Sequence, residues 1–193
     1  FLTTQLVDHA RHVVFFDRFW REVVAGDQGA PDELDLRERL NRGCRGILFD
    51  LLPRGTRGVV AQAGEMDAYV EGIALHHIVA ESTVVSTVEK FLLGYLSSGA
   101  MLTGLREGLG RVGRDVDRHV DFAIESLRAA VGGNVALAGA VRGYVEAARA
   151  AVRDALDAPL TGGGLPYGSE DTSAWAFDSL EKRLRAIGAD ARP

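Results

Sequence analysis

Three features of the sequence predict an all-α protein. Apolar residues recur every three to four positions through long stretches, no segment sustains a period of two, and breaker clusters such as Ser97-Ser98-Gly99 and Gly132-Gly133 fall between the periodic stretches. A first helix carries Leu6, Val13, Phe16 and Trp20 on one face and is expected to end near Gly26. Pro31, followed by Asp32 and Glu33, suits the opening of a second, because acidic side chains favour the positive end of the helix dipole. That helix is expected to reach about Leu52 and stop at the Pro53-Arg54-Gly55 turn. A long third helix covers roughly residues 58–97, with Gly64 or Gly72 as a kink. Beyond Ser97-Ser98-Gly99 a fourth runs from about Met101 to Val131, closed by Gly132-Gly133. Residues 134–157 form an Ala-rich fifth, with Arg149 and Arg153 on its polar side. A loop over 158–171 then precedes a last helix at about 172–187, capped by Thr172 or Ser173. The stretch from Thr83 to Val88 has β-type propensity, but its flanks are strongly helical and override so short a preference.

The 193 residues are read as one domain, 47% hydrophobic and 25% charged, a balance that excludes a disordered tail. A formal net charge of -5 gives no electrostatic footprint for nucleic acid. No apolar run is long enough to span a bilayer. Cys44 is the only cysteine, so no internal disulfide forms, and a reducing, cytoplasmic setting is expected. Cys44 itself reads as a packing residue, and Phe15, Phe16, Phe19 and Trp20 as core or dimer contacts.

The informative residues are five histidines confined to three short stretches: His9 and His12, His76 and His77, and His119. Asp8 precedes His12 by four positions and Asp115 precedes His119 by four, so each pair shares one helical face. His77 and Glu81 likewise share a face of the third helix, among apolar neighbours. A buried glutamate or histidine is costly unless it is paired or binds metal. Helices that each turn a histidine or carboxylate inward are how a bundle builds a metal site. The plainer alternative is that both aspartates simply pair with Arg11 and Arg118.

These segments resemble the R2-like ligand-binding oxidases, ferritin-like relatives of the ribonucleotide reductase small subunit. That family's first ligand pair reads Asp-Glu-x-Arg-His, where this chain has Asp8-His9-Ala10-Arg11-His12. The third helix is similar over Ala61-Gln62-Ala63-Gly64-Glu65-Met66 and again over His76-His77-Ile78-Val79-Ala80-Glu81. The second pair, Arg-Asp-Glu-x-Arg-His, corresponds to Arg114-Asp115-Val116-Asp117-Arg118-His119, and the tail from Ser179 to Gly188 is similar too. The resemblance extends over essentially the whole chain.

It implies a ferritin-like helical bundle with metal ligands at His12, Glu81 and His119, and with Asp8 and Asp115 accepting hydrogen bonds from His119 and His12 across the bundle. Two ligand positions depart from the pattern: His9 and Val116 stand where carboxylates are expected. His76 takes the place of the tyrosine that crosslinks to a valine. A sixth ligand would lie upstream of Phe1, so the chain, which opens without methionine, is read as lacking the first helices of the bundle.

Losing two carboxylates removes bridging charge, and the remaining set of His9, His12, Glu81 and His119 is nitrogen-rich. Such a set suits a single divalent ion of the non-haem Fe(II) kind, and zinc would also fit. The expected function is a divergent oxidase holding iron and/or manganese, mononuclear or dinuclear, beside an apolar pocket for a long-chain fatty acid or similar ligand. Lining that pocket is the alternative role the resemblance implies for Phe15, Phe16, Phe19 and Trp20. A homodimer is expected by the same resemblance. The alternative is a catalytically inactive ligand-binding or scaffold homologue whose site has decayed, holding zinc or no metal. Because neighbours on an α-helix diverge by about 100°, His76 and His77 are not expected to face one ion equally.

Overall fold

The structure, a computed structural model, describes residues 2–24, 37–99, 102–157 and 169–190. The predicted breaks and openings at Gly26, Pro31 and Met101, and residues 158–168 of the predicted loop, lie outside the described residues. The elements are α1 (Leu2–Phe19, continuing as a wider turn over Trp20–Val24), α2 (Arg42–Arg45), a wide segment Gly46–Leu51, and α3 (Leu52–Ala61). They continue with α4 (Met66–Ile73), a second wide segment Ala74–Val85, α5 (Ser86–Ser98), α6 (Thr103–Val131), α7 (Val135–Leu156) and α8 (Ser169–Ile187). The chain is an all-α, ferritin-like bundle, and no strand occurs among the described residues.

Helix ends follow local chemistry. Asn134 starts α7 by accepting from the amides of Ala136 and Leu137 at 3.1 and 3.2 Å. Gly132 closes α6 with φ of +43°, a left-handed conformation that glycine adopts without steric cost.

Three local expectations are corrected. Pro53 does not stop a helix. It sits in the first turn of α3, where winding changes from the wide segment to the α form, and proline's missing N–H is tolerated in a first turn. The long third helix is broken rather than kinked: residues 62–65 form a turn containing Gly64 at φ of +96°, whereas Gly72 lies inside α4. The last helix begins before Thr172 and Ser173, so neither is its cap.

The segment Ala74–Val85 is the axis of the bundle. Nine of its twelve residues are buried, and α5, α6, α7 and α8 all pack on it. Its hydrogen bonds run from residue i to i+5, a winding associated with functional sites when it interrupts an α-helix. Hydroxyls follow the same five-residue step: Thr83 Oγ1 donates to the Ile78 carbonyl at 2.6 Å and Ser86 Oγ to the Glu81 carbonyl at 3.1 Å. Around it Leu75, Ile78 and Val79 meet Leu127, Val141, Val145, Leu180 and Leu184, each burial being worth roughly 1.5–3 kcal/mol.

The first helix behaves differently. The face carrying Leu6 and Val13 was expected inside, yet these are 71% and 68% exposed, while Gln5 and Asp8 are buried. The inward side of α1 is therefore the polar one, docked on α6 by hydrogen bonds and by Phe15 against Val112, Val116 and Val120. Phe16 is 42% exposed and is not part of the core. Among the described residues no helix is long and apolar enough to cross a membrane.

Candidate metal centre

Glu81, buried at the middle of the wide segment, is the hub of the site. Its Oε1 lies 2.9 Å from His9 Nε2 and 3.2 Å from His119 Nδ1, and its Oε2 lies 2.5 Å from His77 Nδ1. Three elements converge here: α1 brings His9, α6 brings His119, and the wide segment brings His77 and Glu81. His119 is wholly buried, and its other nitrogen, Nε2, donates to Asp8 Oδ2 at 3.1 Å.

The ligand atoms of His9, Glu81 and His119 all lie within 4.8 Å of one another, and so do those of His76, His77 and Glu81. His12 belongs to neither group among the described residues. Its Nε2 donates instead to Asp115 Oδ2 at 3.0 Å. The two aspartates also take arginines. Arg118 Nη2 reaches Asp8 at 3.0 Å and Asp115 at 2.8 Å, and Arg11 Nη2 reaches Asp8 at 2.5 Å and Asp115 at 3.2 Å. Both pairings considered from the sequence, aspartate to histidine and aspartate to arginine, are thus present together.

The electrostatics are those of a buried anion ringed by imidazoles. Burial pushes the Glu81 carboxyl up, but hydrogen bonds with His77 and His9 outweigh it and hold the group well below the carboxylate range. The hydrogen bond to Glu81 raises His9. Burial, reinforced by the adjacent His77, pushes His76 down to about 4, so its imidazole is neutral, the form that ligates metal. For Asp115 burial is again outweighed, here by hydrogen bonds from His12 and Arg118, and the carboxyl is lowered.

His76 is the residue that reasoning on an α-helix undervalued. In a helix bonded i to i+5, residues five apart come into line, so His76 stacks toward Glu81 while His77, four away, still reaches it. The two rings sit 4.7 Å apart, centre to centre. The five-residue spacing was readable in the sequence, but the winding that makes it matter was not.

The sequence matches no family model, and none of the curated proteins matches it. Solved structures do match. One is an R2-like ligand-binding oxidase variant with an anaerobically reconstituted Mn/Fe cofactor, at a TM-score of 0.86 and 18% identity, covering 97% of this chain and 67% of that one. Another, with a Mn/Fe cofactor and 18% identity, gives 0.83 over 97% and 66%. A third, with a non-activated Mn/Mn cofactor and 20% identity, gives 0.85 over 97% and 66%. This chain therefore has the fold of the R2-like ligand-binding oxidases and spans about two thirds of their length.

The residues can be tested against a metal. Neutral imidazole donates at one nitrogen only. His119, with Asp8 on one side and Glu81 on the other, therefore calls for an additional cation, a proton or a metal ion, between Nδ1 and Oε1. Ligands each ~2.0–2.2 Å from an ion stand roughly 3–3.5 Å apart, so the hydrogen-bond contacts of 2.9 and 3.2 Å at Glu81 would need only small shifts to close around one. One ion fits. On the His12 side Val116 is a buried apolar residue that offers no ligand atom, and His12 Nε2 donates to Asp115 as His119 Nε2 does to Asp8.

Proposed function

We propose that this protein holds a redox-active divalent ion at His9, Glu81 and His119 and is a divergent oxidase acting with dioxygen. The observation that carries the reading is the convergence of those three ligand atoms around one buried carboxylate, in a fold shared with Mn/Fe oxidases. Two imidazoles and one carboxylate are the donor set of non-haem Fe(II) oxygenases, and iron so held supplies the chemistry that activates dioxygen. The chain's own residues prepare the site. Asp8 accepts a hydrogen bond from His119 Nε2 and leaves Nδ1 turned toward Glu81. Glu81 provides the negative charge, and Arg11 and Arg118 balance the two aspartates outside it.

A cavity of about 500 Å3 between α1 and α6 is lined by Phe15 and Val112, by Arg11, Arg111 and Arg114, and by His12, Glu107 and Asp115. Aromatic and aliphatic walls beside arginines support a long-chain carboxylate such as a fatty acid as the ligand. The exposed apolar side of α1, with Leu6, Val13 and Val14, supports a homodimer contact, and the lone Cys44 supports a cytoplasmic setting.

Anaerobic loading with Fe(II), followed by elemental analysis, should leave one iron per chain, and exposure to air should then consume dioxygen. Protein that stays metal-free overturns the proposal. Iron retained without oxygen uptake would instead favour the second reading, an inactive binding homologue, which Val116 in place of a carboxylate supports.

A further inference from the structure

We infer that His76, His77 and Glu81 form a second cation seat, distinct from the seat at His9 and His119 and competing with it for Glu81. This rests on the reading above only in sharing Glu81. The carboxylate is split between two groups of imidazoles: Oε1 faces His9 and His119, and Oε2 faces His77. The ligand atoms of His76, His77 and Glu81 lie within 4.8 Å of one another, as do those of the first set. The five-residue winding of Ala74–Val85 is what places consecutive histidines on one carboxylate, since an α-helix would turn them apart. His76 is half-buried, so the seat has a side open to an entering ion, whereas His77 and Glu81 close it from within.

Charge decides how the seats are filled. Glu81 is the only carboxylate in either set, and two divalent ions beside it would leave three uncompensated positive charges in a buried place. One ion at a time is the consequence. The donors are two imidazoles and one oxygen, which favour late first-row ions such as cobalt, copper or zinc over manganese.

The test is Co(II) titration of the full chain, read by visible absorption and by metal retained after gel filtration. The variants are His9→Ala, His77→Ala and the double variant. One Co(II) per chain is expected in the parent and in each single variant, with different spectra for the two singles. Affinity should fall at least ~100-fold in the double variant. Because His77 is buried, His76→Ala at its half-buried position repeats the test with less risk to folding. In the His9→Ala background it should weaken Co(II) at least ~10-fold.

If His9→Ala alone loses Co(II) as fully as the double variant, the second seat is overturned and the first stands. The second seat falls in the same way if His76→Ala changes nothing in the His9→Ala background. If His77→Ala loses the ion while His9→Ala keeps it, the second seat stands and the assignment to His9 and His119 falls. Two Co(II) ions retained by the parent overturn the competition.

Discussion

The two Asp-to-His repeats begin from nearly the same sequence and end in different chemistry. Asp8-His9-Ala10-Arg11-His12 lies on α1 and Asp115-Val116-Asp117-Arg118-His119 on α6, and each aspartate receives the other repeat's final histidine. Each arginine bridges both aspartates. The pattern is reciprocal up to the residue after the aspartate. There His9 offers a nitrogen to Glu81, whereas Val116 is buried in a small apolar cluster with Val112 and Val120. The final histidines diverge as well: His119 is enclosed between Asp8 and Glu81, and His12 lines the cavity beside Phe15. The shared hydrogen-bond scaffolding thus carries one cluster of candidate ligand atoms, gathered where the wide segment presents Glu81.

The sharpest way to break this asymmetry is Glu81→Gln, which removes the common carboxylate. Metal affinity measured by competitive titration should drop more than ~100-fold, beyond the usual effect of changing an outer hydrogen-bond partner. Comparing the two aspartates comes next. In the His77→Ala background, where only the first seat remains, Asp8→Asn should cost ~10–100-fold in metal affinity by loosening His119, while Asp115→Asn, which supports only His12, should change it less than ~3-fold. Equal losses would show that both repeats serve the metal.

A third measurement concerns protons in metal-free protein. His76 is depressed from 6.5 to about 4 by burial, so between those values the unfolded chain holds a proton that the folded chain does not. Folding stability must then fall as pH falls through that window, by about 2–3 kcal/mol from this group. Chemical denaturation at pH 6.5 and 4 should show that much less dependence in His76→Gln. His9 has the opposite sign. Its raised value gives stability present below pH 6.5 and lost as pH rises through the folded value, and His9→Ala should remove that loss. The smallest effect belongs to His12→Gln, which should leave metal uptake within ~2-fold, because His12 shares no ligand cluster with Glu81.

Much of the bundle was legible in the chain. The helix expected up to Val131 and closed by Gly132 is α6, whose buried Leu109, Val112, Val116, Val120, Ala123 and Leu127 recur every three or four positions, because helix period and left-handed caps are local properties. Glu81 stood out because an ionisable residue among apolar neighbours needs a partner, and His119 through its one-turn spacing from Asp115. The burial of α1 was not legible. Leu6 and Val13 look like a core stripe, but Asp8, His9 and Arg11 find partners on α6 and the wide segment that no local pattern contains.

By itself the sequence determined which stretches are helical, where several of them end, and which titratable groups sit one turn apart. These follow from side-chain periodicity and short-range hydrogen bonding. The tertiary structure decided which face of α1 turns inward and how Ala74–Val85 is wound. Both are settled by contacts between residues far apart in sequence: Asp8 with His119, His9 with Glu81, and an axial segment packed by four helices. That winding makes His76 and His77 neighbours of one carboxylate, and the chemistry of the site depends on it.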